Sequence, residues 1–275
     1  MAQLIEAEAR RAEHSLHPDA TDLLFQGRAW LNKGITPEYM AQARGFFERA
    51  LMLEPGNIEA MVSLAQANIA TSASYFTDDR TVHLAAAENG LIKILNMAPQ
   101  HARAHMFLGA VQSLTNRAAQ GIAECEQALT LDRNLANAHA YIGATKCYIG
   151  RGEETEAHVN EALRLSPRDT FTFRWLSSCA VAKLQLSADN EAVTWLRRSI
   201  EANRSYPLAH FVLAAALALL GELDQARAAA QAGLTLDPTF TIRRYRVNAK
   251  SDNPTFLLKR QRVYDGMRMA GVPEV

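Results

Sequence analysis

The order of apolar and polar positions is helical along most of the chain. Apolar residues recur at i, i+3, i+4 and i+7, and short polar turns such as Gly150-Arg151-Gly152-Glu153 and Gly221-Glu222 separate the stripes. The stripes also repeat at long range. The pairs Leu108–Gly109, Ile142–Gly143, Leu176–Ser177 and Leu213–Ala214 follow one another at 34, 34 and 37 residues. Prolines that close apolar segments, Pro55, Pro99, Pro167 and Pro238, lie 44, 68 and 71 residues apart. A 34-residue period with occasional insertions accounts for both sets, and such a period is the mark of stacked supersecondary units. Six units follow: 20–57, 58–101, 102–135, 136–169, 170–206 and 207–240.

Each unit predicts two helices. Its eighth place is small (Gly27, Ala65, Gly109, Gly143, Ser177, Ala214), and its twenty-fourth is large in four units (Phe47, Leu91, Val159, Leu196). Small places let two helices approach, and large ones fill the gap as knobs. A proline after the second helix ends it. One such hairpin cannot bury both faces, whereas stacked neighbours can, so the expected product is an all-α solenoid with a continuous core.

This pattern resembles the tetratricopeptide repeat (TPR), W-x2-L-G-x2-Y followed by A-x3-F-x2-A and P. The sixth unit reads PLAHFVLAAALALLGELDQARAAAQAGLTLDPTF, and the first closes with ARGFFERALMLEPGN, placing Ala43, Phe47, Ala50 and Pro55 on A, F, A and P. Departures are Thr155 and Gly121 for the first Ala of the second helix, Arg133 and Arg204 for the closing proline, and no Trp at the fourth place. The resemblance implies a right-handed α-solenoid of helix-turn-helix units whose first helices line a concave groove. Its second, fifth, ninth, twelfth and thirteenth places here include Arg28, Asn32, Gln66, Arg103, Met106, Asn137, Tyr148, Phe171, Arg174, Leu208 and Phe211. A protein or peptide partner, or a second copy, is the ligand this implies. The Lys/Asn/Arg clamp for chaperone C-termini fails: Leu24 and Arg28 stand where Lys and Asn are wanted, and unit three offers Met106 and Ala110.

Three segments, DLLFQGRAWLNKG, YFTDDR and NPTFLLKRQRVYDGMRMAGVPE, also resemble the TPR region that follows the catalytic domain of bacterial class III adenylate/guanylate cyclases. That resemblance implies a sensing or oligomerisation role in a larger protein whose catalytic domain is not in this chain.

Outside the repeats, residues 1–19 read as one charged amphipathic helix closing at His17-Pro18, with an abrupt start that suits a piece of a longer chain. The insertion Ala70 to Leu84 predicts a long loop at 71–80, then a helix from about Thr81 capped by Asp78 or Asp79. Residues 241–275 carry eight basic residues against three acidic ones, a net +5. They predict an irregular connector at 239–247 and a capping helix from Asn253-Pro254 to Met269, buried through Phe256, Leu257, Val263, Tyr264 and Met267 with a solvated basic face.

Composition narrows the chemistry. Lys plus Arg and Asp plus Glu are 29 each, so no chain-wide pull toward nucleic acid or anionic lipid is expected. The longest apolar run, Phe211 to Leu220, is about half of the ~20 residues that span a bilayer. Cys125, Cys147 and Cys179 form no C-x-x-C pair and read as buried thiols of a reducing, cytoplasmic protein. His101 and His105 have helical ligand spacing but no third ligand, while His105, His139 and His210 share the fourth place as repeat residues. No phosphate-loop, dinucleotide, nucleophile-elbow or zinc-protease motif occurs. No catalytic residue, metal or cofactor is expected.

Overall fold

A computed structural model describes residues 2–13, 18–74 and 79–275. These residues form fifteen α-helices and no strand. The chain divides into two compact units, residues 1–111 with 127–133, and residues 112–126 with 134–275.

In the first unit, α1 (Ala2–Glu13) packs on α2 (Ala20–Asn32), which pairs with α3 (Pro37–Leu53). α4 (Ile58–Ala73) pairs with α5 (Arg80–Met97), and α3 packs on α4. Local chemistry sets the starts. Asp19 and Asp22 form a reciprocal capping box on α2, Thr36 caps α3 ahead of Pro37 at its first position, and Asn57 caps α4. Inside the α2–α3 hairpin, Ala43, Phe47 and Ala50 are fully buried. A Cβ on Gly27 would press into the Phe47 ring, so this glycine is the space that the ring occupies.

The loop expected at 71–80 begins later than its composition suggests. α4 continues through Ala73 because the Thr71, Ser72 and Ser74 hydroxyls donate back to the carbonyls of Ala67, Ile69 and Ala70 at 2.9, 3.0 and 2.6 Å. Asp79 stands at the N-cap of α5 without a side-chain capping bond. Asp78 and the His17 closure lie outside the described residues.

α6 (Ala102–Leu114) and α7 (Ala118–Leu131) follow. The second unit then continues with α8 (Ala136–Tyr148), a 3-10 turn at Gly152–Glu154, α9 (Thr155–Leu165), α10 (Thr172–Gln185), α11 (Asp189–Ala202), α12 (Pro207–Leu219), α13 (Leu223–Leu236), α14 (Ile242–Val247) and α15 (Pro254–Met269). Hydroxyls replace alanine where they have a partner across a hairpin: Thr155 donates to the Gly143 carbonyl at 2.8 Å and Ser199 to the Phe173 carbonyl at 2.7 Å. In α12–α13 the knob comes from the other helix. Phe211 is fully buried, stacked on Phe240 with centroids 3.8 Å apart, and it fills the space over Gly233.

The C-terminal segment differs from its expectation in three ways. Residues 242–247 are a helix, capped by the Thr241 hydroxyl on the Arg244 N–H. Leu257 is exposed, and Arg260 takes the buried place beside Phe256, Val263, Tyr264 and Met267. The basic face is therefore only partly solvated, since Lys250 is buried as well. No helix among the described residues is long and apolar enough to cross a membrane.

Candidate functional site

Polar side chains of the first unit converge where α2, α4 and the start of α6 meet. Arg28 (α2) donates to the Ser63 hydroxyl at 3.2 Å and pairs with the Glu59 carboxylate (α4). Arg103 (α6) donates to Glu59 at 2.8 Å and to the Gln66 side-chain oxygen at 3.4 Å. His101 Nδ1 accepts the Ala104 backbone N–H at 3.1 Å, which leaves Nε2 to carry the proton toward Glu59, 3.2 Å away. Two guanidinium groups and an imidazole thus share one carboxylate. Burial opposes the Glu59 charge, but Arg103 and Arg28, with hydrogen bonds from Arg28 and His101, hold its pKa below the ordinary carboxylate value.

The cluster is open to solvent. The Glu59 side chain is 44% exposed, Arg103 32% and Arg28 21%. Its two guanidinium groups outnumber its one carboxylate, and their forks suit carboxylate oxygens or amide carbonyls of a bound chain. One turn beyond Arg28, the Asn32 Nδ2 is buried with no hydrogen-bond partner among the described residues.

Three of the predicted groove residues, Arg28, Gln66 and Arg103, therefore meet in one network, with Asn32 beside it. Met106 does not line a groove, because it is buried. Glu59 and Ser63 were not singled out by sequence reasoning, and His101, noted there only for its spacing to His105, turns out to face Glu59. Glu59 and Arg103 both hold the second place of their units, and that shared place with opposite charge was the available signal.

In the second unit the predicted residues are engaged by their own chain. Asn137 accepts the Trp175 indole N–H at 3.2 Å and donates to Asp169 at 3.5 Å, and Asp169 accepts the Phe171 N–H at 2.8 Å. Phe171, Arg174 and Leu208 are half-buried, and Phe211 is in the core. The Tyr148 ring meets the edge of Phe256 at 5.6 Å. That last contact comes from α15, which lies on the first helices α10 and α12 and not along α13. Phe256 joins Cys147 and Ala182 in a small core. Lys259 donates to the Gly150 carbonyl at 3.2 Å, and Arg262 grips Asp189 with two hydrogen bonds of 2.8 Å. A Cβ on Gly266 would come within 2.5 Å of the Ala215 carbonyl oxygen, so α12 and α15 touch backbone to backbone there.

Burial pushes each of the three cysteine thiols up to about 12, so all stay protonated at neutral pH. No group of three or more His, Cys, Asp or Glu that could hold a metal occurs among the described residues.

Hairpins of this length, small-to-large packed and stacked in sequence, define a TPR-type all-α fold. Among solved structures, the chain is similar to the human IFIT1 dimer with m7Gppp-AAAA, at 15% identity and TM-score 0.69 over 96% of this chain and 63% of that one. It is similar to the APC/C Cut9–Hcn1 hetero-tetramer at 14% identity and TM-score 0.66, over 87% of this chain and 44% of that one. It is also similar to TTC0263, a TPR protein of Thermus thermophilus, at 18% identity and TM-score 0.55, over 78% of this chain and 99% of that one. The chain thus spans less than half of the Cut9 structure's chain and under two thirds of the IFIT1 chain. At these identities the likeness is one of fold. No family model and no curated protein sequence matches the chain.

Proposed function

We propose that this chain is a cytoplasmic, non-catalytic scaffold that holds a protein or peptide partner on the face made by the first helices of its repeats. Six units with the boundaries 20–57 to 207–240 organise it. The observation that carries this reading is the solvent-open network of Arg28, Glu59, Gln66 and Arg103, which offers fixed cationic forks on that face. Cut9, one of the proteins of like fold, is found in a hetero-tetramer with Hcn1, which is the kind of use proposed here.

The test is site-specific photocrosslinking in source-cell lysate, with the crosslinker at residue 66 or, as control, at residue 49. A discrete protein adduct at 66 that disappears in Arg28→Ala/Arg103→Ala and is absent at 49 is expected. Equal adducts at both positions, or none, overturn the reading. An adduct sensitive to ribonuclease would instead favour the RNA use seen with IFIT1.

The segments DLLFQGRAWLNKG and NPTFLLKRQRVYDGMRMAGVPE support a second reading, a regulatory or oligomerisation region of a larger bacterial class III adenylate/guanylate cyclase. An immunoblot of the native product decides: a band near 30 kDa removes this reading, and a much larger one calls for a cyclase assay.

A further inference from the structure

A helix that only capped the last hairpin would cover the outer edge of α13, which is where a terminal repeat meets water. α15 does something else. It crosses the face formed by the first helices α10 and α12 and reaches the C-terminal end of α8, with Phe256 over Cys147 and Ala182, and Gly266 against Ala215. It presents Phe256, Arg260, Val263, Tyr264 and Met267 at i, i+4, i+7, i+8 and i+11. This is the anchor spacing of an amphipathic helix laid in a groove.

The arginine among these anchors is held by α14 and by α15 itself. Arg260 is buried, stacked 3.8 Å over the Tyr245 ring of α14, and donates to the Tyr264 hydroxyl of its own helix at 2.7 Å and the Tyr245 carbonyl at 2.8 Å. The rim is held by the Arg262–Asp189 ion pair and by Lys259 donating to the Gly150 carbonyl. A non-helical connector, residues 248–253, joins α15 to α14. Apolar anchors at the centre, Phe256 and Met267, with the Arg262–Asp189 pair at the rim are the anatomy of an interface between separable partners.

We infer that the face of α8, α10 and α12, with Tyr245 of α14 at its edge, is a groove for an amphipathic helix with an arginine between aromatics, and that α15 is its resident occupant. A partner helix of that chemistry enters by replacing α15. The inference rests on the scaffold reading only in supposing that a partner exists. Its own content is that the groove opens without the fold unfolding.

Cys147 reports the opening, because Phe256 covers it. In the full chain, alkylation of Cys147 followed by peptide mass spectrometry should be faster than that of Cys125 and Cys179, and nearly independent of low urea concentrations. Gly266→Ala keeps α15 helical but cannot be seated against Ala215, so it should speed Cys147 alkylation roughly tenfold or more while Cys125 stays protected. Arg262→Ala, which removes only the rim pair, should act in the same direction more weakly. A labelled peptide of residues 253–270 should bind the Gly266→Ala chain, restore Cys147 protection, and lose both effects when it carries Arg260→Ala.

If the three thiols react together with one urea dependence in the wild type, α15 is a fixed part of the fold and the inference fails. It fails equally if Cys147 is uncovered in either variant and the peptide neither binds nor protects it. A negative crosslinking result at residue 66 bears on neither readout.

Discussion

The two units use the same hairpin chemistry and leave their first-helix faces in opposite states. In the first unit the face carries Arg28, Glu59 and Arg103, partly exposed and paired with one another. In the second it is covered by α15, and charge there is either buried with partners, as at Arg260, or moved to the rim, as at Arg262. Surface pairing keeps a cluster available to a partner at little cost in stability, because exposed ion pairs contribute little. Buried pairing makes each partner indispensable, since removing one strands the other without water.

The units also reach dense packing by mirror-image routes. In α2–α3 the second helix supplies the ring and the first supplies the glycine, Phe47 onto Gly27. In α12–α13 the first helix supplies the ring and the second the glycine, Phe211 onto Gly233. Either solution fills the gap between the helices, so the space between small and large is what the fold requires, and not a given residue at a given place.

The strongest way to break the contrast is to remove a knob. Phe47→Ala should cost about 3–5 kcal/mol, because the ring is fully buried and Gly27 leaves nothing to refill its space. Urea denaturation measures the loss, and hydrogen exchange should locate it in α2 and α3. A change below about 1 kcal/mol would show that this hairpin is not the packing unit described.

Next in size is Arg260→Ala, which leaves the Tyr264 hydroxyl and the Tyr245 carbonyl without this donor. About 2–4 kcal/mol of destabilisation is expected, with exchange rising in α14 and α15. A near-neutral result would mean the guanidinium is solvated and α15 is looser than its contacts indicate.

A third test sharpens the second unit by pH. His139 (α8) and His158 (α9) lie with ring centroids 6.1 Å apart, and burial, followed for His158 by the charge of His139, lowers both below 6.5. Glu161, Glu154 and Glu126 oppose the shift, while Lys146 and Arg164 add to it. Because the folded state resists protonation, the unfolded state binds more protons between 6.5 and the lowered folded values. Stability is therefore full above 6.5 and falls as pH drops through that window. Urea midpoints at pH 7.5 and 5.5 should differ, and His158→Gln should reduce the difference; an unchanged slope would remove the pair from the account.

The smallest effect belongs to the first unit's cluster. Glu59→Gln should cost under about 1 kcal/mol, as its carboxylate is 44% exposed. Its lowered pKa means that its contribution is present above the ordinary carboxylate value of 4.5 and is lost as pH falls through the folded value. A double-mutant cycle with Arg103→Ala measures the coupling; zero coupling would leave the network geometric but not energetic.

The repeat, the helix pairs and their small-to-large contacts were legible in the sequence because they depend on residues close in the chain. Gly27 with Phe47 and the capped start at Asn253-Pro254 are local matters of size, capping and fixed φ. Half of the cluster was legible too, since Arg28, Gln66 and Arg103 sit at places that the repeat turns to one face. The hydroxyl-rich end of α4 misled the reading because Ser and Thr can bond back into a helix as well as leave it.

What only the tertiary structure decided are contacts between residues far apart in the chain. Glu59 became the shared anion because α2, α4 and α6 bring Arg28 and Arg103 to it from 31 and 44 residues away. The basic tail looked like a solvated cap because charge and periodicity reveal an amphipathic face but not what it lies on. That α15 turns onto α10 and α12, burying Arg260 and covering Cys147, follows from the fit of Gly266 to Ala215 and of Phe256 to Cys147. Such a fit depends on shape in three dimensions, and a one-dimensional pattern of apolar and polar positions does not contain it.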